Sequence, residues 1–164
     1  MIFRFISSFL SLELAYLFCQ KARKWLLITT IIFICIGTLL GLFWAPPDYQ
    51  QGDAFRIIYV HVPSAWMSLF VYLYMVLAAV VALVWKIKVA EVGLRAAAPI
   101  GMIFTFLALI TGSIWGKPMW GTWWVWDARL TSELILLFIY LGIMGLFSAI
   151  DDPRTGSRAG AVMT

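Results

Sequence analysis

WLLITTIIFICIGTLLGLFW, residues 25–44, runs for twenty residues without a charged side chain. An α-helix rises about 1.5 Å per residue, so about 20 apolar residues cross a hydrocarbon core of about 30 Å. Lipid offers no partner to a bare N–H or C=O, so a stretch of this kind has to be helical. Three more follow at 57–85, 96–115 and 134–150; the first of these is uncharged apart from whatever His61 carries, and the last is near the lower length limit. The composition agrees: of 164 residues, 63% are hydrophobic and 12% charged, and mean hydropathy is +0.96. A soluble domain has about 45–50% apolar and about 25% charged residues, so this chain lacks the polar surface to face water. The expected fold is all-α, a polytopic transmembrane bundle of four spanning helices in a lipid bilayer. Gly37-xxx-Gly41 and Gly112-xxx-Gly116 fit the small-residue spacing of close helix contacts, a pattern that also arises by chance. Pro99 is expected in the first turn of its span, where a missing N–H costs nothing.

Outside the spans, residues 1–24 are apolar but broken by Arg4, Ser7, Ser8, Ser11 and Glu13, and they end in Lys21, Arg23 and Lys24. This reads as an amphipathic helix lying at the membrane surface, an N-terminal segment ahead of a membrane domain over 25–158. Lysine and arginine set the orientation. Nine of them (Arg4, Lys21, Arg23, Lys24, Lys86, Lys88, Arg95, Arg154, Arg158) fall on one side, and three (Arg56, Lys117, Arg129) on the other. Positive residues stay inside, so the N-terminus is expected in the cytoplasm and the connections 45–56 and 116–133 face outward. After the charged turn 151–158, residues 159–164 are small and apolar and are expected to open a fifth, missing span, as in a shortened chain. The basic residues are too scattered for a phosphate-tracking patch, so nucleic acid is not an expected partner. Cys19 and Cys35 form no CxxC or CxxCH, which speaks against thiol chemistry and covalent haem attachment.

The outward connection GKPMWGTWWVWDARLTSE, residues 116–133, holds Trp120, Trp123, Trp124 and Trp126 within seven residues. An interfacial belt explains one or two tryptophans per helix end, as at Trp25, Trp44 and Trp85, but not four within seven residues. Such a loop is either a broad platform for a flat apolar ligand or a contact surface for lipid or protein. Asp127 and Arg129 either pair with each other and cap the next helix, with Thr131, Ser132 and Glu133 also resembling helix-start residues, or Arg129 and Lys117 meet the carboxylates of an anionic amphiphile. The one histidine, His61, lies in RIIYVHVPSAW at the outward end of the second span. With no partner His, Cys or acidic cluster, zinc is poorly supported. Pro63 fits a first helical position, which places His61 just before a helix N-terminus, whose dipole favours a neutral ring able to bind metal. Porphyrin iron needs only one or two axial protein ligands, so one histidine beside a flat aromatic platform suits haem.

WGTWWVWDARLTSE, residues 120–133, preceded by GSIWGKPM, resembles the tryptophan-rich signature of haem-handling membrane proteins of cytochrome c maturation. APPDYQQGDAFRIIYVHVPSAW and SAIDDPR narrow the resemblance to the heme exporter protein C family, CcmC, over about residues 40–160. The resemblance implies a six-helix protein of the bacterial inner membrane that holds non-covalent haem b at the outer face. It implies delivery to a periplasmic haem chaperone beside the subunits of an ABC transporter, with no catalytic residue of its own. Trp120, Trp123, Trp124, Trp126 and Asp127 would then belong to the haem platform, with Arg129 beside it and His61 as one axial ligand. The family has a second outward histidine beyond its fourth span, and this chain has no other His. The competing expectation is a structural subunit whose aromatic loop docks a neighbouring protein without ligand.

Overall fold

The computed structural model describes residues 11–164, so the front of the expected surface segment, residues 1–10, lies outside the described residues. Ser11 starts the first helix by accepting Leu14 N–H at 3.2 Å. Helix α1, Leu12–Thr38, passes through the basic cluster without a break and loosens into a π-helical turn, Leu39–Trp44. The boundary expected at residue 24 is therefore not a change of element; neither glycine nor proline stands there to stop a helix. A 3₁₀ turn, Asp53–Ile57, leads into α2, Ile58–Trp85. Lys86 adopts the left-handed conformation (φ 56°), and α3, Lys88–Trp120, begins two residues later. Helix α4 is Ala128–Ala149 and α5 is Pro153–Met163.

Among the described residues four helices are long and apolar enough to cross a membrane, and the bundle is all-α as expected. One expectation is corrected. Helix α3 starts eight residues before the third apolar stretch, so Pro99 lies in its interior, three turns from the N-terminus. Lys88, Glu91 and Arg95 interrupt the apolar run, but a helix does not have to stop where the hydrocarbon does. At 33 residues α3 is about 50 Å long, well beyond the core thickness.

In lipid, apolar burial drives little helix association, so close packing and hydrogen bonds carry it. Ala78, Ala79 and Ala82 of α2 and Ala97 and Ala98 of α3 are buried, letting these two helices approach. The fully buried Tyr140 of α4 lies against Gly101 of α3 and donates its hydroxyl to Ser68 O of α2 at 2.9 Å. A membrane hydrogen bond of this kind contributes about 0.6–2 kcal/mol. Of the two glycine pairs singled out by spacing, Gly37 meets nothing, while Gly41 faces the Tyr59 ring and Gly112 faces His61.

At one end, Arg95 of α3 donates to Phe147 O (3.3 Å) and Pro153 O (3.1 Å), joining the last turn of α4 to the first of α5. Asp152 caps α5, and Pro153 occupies its first turn. The charged stretch 151–158 thus turns helical at Pro153. Residues 159–163 continue that helix, with Gly160 against Phe147, and Tyr72 donates to Thr164 O at 2.7 Å. By contrast, α1 buries nothing along its length. The π-helical turn after it meets the start of α2, with Gly41 against the Tyr59 ring, and Arg56 of the 3₁₀ turn donates to Leu42 O at 3.1 Å.

Candidate ligand cleft

The opposite end carries the candidate site. His61 is the fourth residue of α2 and Pro63 the sixth, which corrects the expectation that Pro63 opens the helix and His61 precedes it. The 3₁₀ turn Asp53–Ile57 already aligns the backbone, so the helix starts before the proline.

A direct contact defines the imidazole more closely than the helix dipole does. Nδ1 lies 3.1 Å from Ala108 O and 3.1 Å from Thr111 Oγ1, both on α3. A carbonyl oxygen only accepts, so Nδ1 carries the proton and donates, and Nε2 keeps its lone pair. Backbone carbonyls commonly fix metal-binding histidines in this way. Gly112 makes room for the ring: a Cβ there would stand 3.0 Å from His61 Cε1. The Trp115 indole meets the imidazole edge-on, with centroids 5.7 Å apart. Trp115 is itself held, because Nε1 donates to Gln51 Oε1 at 2.9 Å. Asp48 in turn fixes the backbone at Gln51 by accepting the N–H groups of Gln50 (2.9 Å) and Gln51 (2.8 Å).

These residues wall a cleft of about 560 Å³ between α2, α3 and α4. That lies within the range of about 300–1,000 Å³ typical of small-molecule sites. Trp120 and Arg129 join His61 and Trp115 in its lining, and the remaining walls are mainly apolar. Trp123, Trp124, Trp126 and Asp127 do not line it. The aromatic run divides instead of forming one plate. The Arg129 guanidinium lies 5.6 Å from the Trp120 ring, and Lys117 Nζ lies 5.9 Å from that of Trp123. Trp124 and Trp126 pack edge to face at 5.5 Å, and Trp123 and Trp126 are 57% and 76% exposed.

The charged residues of the loop have local duties. Asp127 caps α4 through Leu130 N–H (2.9 Å) and receives Arg129 Nη2 at 2.6 Å, so of the two open readings the pair-and-cap arrangement is present. The Leu130 N–H, and then the Arg129 guanidinium, hold the Asp127 carboxyl below the usual carboxylate range. Lys117 donates to Gly121 O at the end of α3 (3.0 Å), which occupies the second expected anion partner. Three cleft residues were not singled out as ligand contacts in the sequence. Trp115 follows Thr111 by one helical turn, a visible signal, and Glu133 follows Arg129 by the same spacing. Gln51 had no such signal, because its place depends on how the loop 45–52 folds. Among the described residues no three His, Cys, Asp or Glu side chains gather as a metal-ion site. The donor set is a single oriented imidazole in an apolar cleft, which fits an iron already held by a planar macrocycle.

Comparison with known proteins places this geometry in context. Residues 5–164 match the family described as CcmC, heme exporter protein C. Proteins named heme exporter protein C share 55% identity over 92% of this chain in Haemophilus influenzae and 52% over 90% in Escherichia coli K12. The Bradyrhizobium diazoefficiens protein of that name is 54% identical over 88% of the chain. The chain spans 61%, 60% and 54% of the lengths of these three relatives.

Proposed function

The chain belongs to the heme exporter protein C family, and on that premise we propose that it presents haem at the outer face of a bacterial inner membrane. The haem, a non-covalently held haem b in transit, passes from the cleft to a periplasmic chaperone during cytochrome c maturation, beside the subunits of an ABC transporter. The observation that carries this reading is the His61 Nδ1 contact to Ala108 O, which leaves Nε2 as the free donor of a ring lining the cleft. His61 is then an axial ligand, with Trp115 and Trp120 as apolar walls and Arg129 at a porphyrin carboxylate. The charge asymmetry of the connections supports an N-terminus in the cytoplasm and a cleft facing outward. No bond-making side chain is assigned, because the macrocycle carries the chemistry and the protein supplies position and electrostatics.

The exposure of Trp123 and Trp126 supports a second role for the aromatic loop, as the surface that meets the chaperone. In this arrangement Trp120 serves the ligand, while Trp123, Trp124, Trp126 and the Asp127 cap serve presentation.

An optical spectrum of the purified chain with added haem tests the proposal. The wild type should show a Soret band, and His61→Ala should lose more than nine-tenths of it at matched expression and membrane insertion. Equal haem content in the two proteins would overturn the ligand role.

A further inference from the structure

Glu133 sits in the same cleft and is unexplained by the fold. Its position just after TS in the loop suggests a helix-start residue, but Asp127 performs that capping, and Glu133 lies six residues into α4. Its Oε1 is sealed from solvent and has no hydrogen-bond partner. The Ser68 hydroxyl of α2 donates to Ala65 O at 2.8 Å and is also within reach of the Glu133 carboxyl, where it favours the ionised form. Arg129, one turn away on α4, is turned to Asp127 instead. His61, Arg129 and Glu133 are the titratable side chains lining the cleft. The Arg129 charge is matched by Asp127, and among the described residues no cationic side chain pairs with the Glu133 carboxyl. A buried acceptor with no partner is costly, so its persistence at a ligand wall points to a ligand that completes it.

We infer that Glu133 is the counter-charge of the cleft and selects the ferric over the ferrous form of the bound iron porphyrin. This rests on the proposed haem-presenting function. A porphyrin core is a dianion and the His61 imidazole is neutral, so the ferric complex carries one positive charge at its centre and the ferrous complex none. In a water-poor cleft a carboxylate attracts that positive charge strongly. Burial holds the Glu133 carboxyl above its ordinary range, and a cationic iron centre beside it favours the ionised form, whose proton goes to water. The gain on ionisation accrues to the ferric state alone.

The test uses the whole chain in detergent or nanodiscs with iron protoporphyrin IX. Affinity is titrated in the ferric state and in the dithionite-reduced ferrous state, and the one-electron midpoint potential is measured by spectroelectrochemistry. In Glu133→Gln, ferric affinity should fall about tenfold with ferrous affinity unchanged, raising the midpoint by about 59 mV. Retained ferrous binding shows that the variant is folded. Glu133→Asp should keep most of the ferric preference. An unmoved midpoint, or equal losses in both states, would overturn the inference while leaving the haem site standing. Absence of a Soret band from the wild type in both states would instead overturn the haem-presenting function, and this inference with it.

Discussion

Gly112 sets how closely α3 can pass the His61 ring. A methyl group there would stand 3.0 Å from Cε1, so the imidazole would have to move by a few tenths of an ångström. That movement lengthens the Nδ1 contacts to Ala108 and Thr111, and with them goes the orientation of Nε2. Gly112→Ala should therefore weaken haem binding about tenfold, about 1.4 kcal/mol, even though alanine is the better helix former. Haem titration alongside a thermal melt checks it: reduced affinity with equal or higher Tm is expected, and unchanged affinity would show that the ring has slack. At this scale the sequence singled out His61, because a lone histidine at a span end beside an aromatic loop is conspicuous. It did not reveal the lock on Nδ1. Ala108 O is a backbone atom, and no residue type advertises which carbonyl will face a neighbouring helix.

The helix starts show most clearly what pattern reading reaches. Apolar length identified the four spans, but their ends follow capping and backbone conformation. Lys86 turns the chain in a conformation usually left to glycine, so nothing in its side chain marks the turn, and α3 could not be seen to start at Lys88. Asp127, an N-cap residue by type, was legible as a cap. Its carboxyl is held below the usual range by the Leu130 N–H and the Arg129 guanidinium, so the folded state binds its proton less readily than the unfolded state. The stability this contributes is present above the unfolded value, near pH 3.9, and is lost as pH falls through the lower folded value. Asp127→Asn keeps a capping oxygen but removes the charge, so its Tm should be lower than wild type at pH 7 and converge with it below about pH 4. A constant Tm difference across that range would exclude the ionised cap as the cause.

Across the whole molecule, the cleft and the exposed aromatic surface are separate, so holding a ligand and handing it on should separate under mutation. Trp123→Ala with Trp126→Ala removes two exposed rings outside the cleft. The double variant should keep haem binding within about twofold of wild type (under about 0.5 kcal/mol) and lose about tenfold in transfer to the chaperone. Trp85→Ala, at the far end of α2, should change neither. A stopped-flow transfer assay reads this directly, and equal behaviour of the double variant and Trp85→Ala would mark the tryptophans as a general interfacial belt. The hairpin of α2 and α3 also gives the site a history. Residues 86–87 alone join these helices, and the contact from His61 to Ala108 lies wholly within the pair. A ribosome adding about 5–20 residues per second reaches Glu133 about one to five seconds after Ala108. The imidazole can thus be fixed in its metal-binding tautomer while α4 is still unmade. The nascent chain first builds the wall that carries the proposed iron ligand, and only afterwards the wall that carries Glu133.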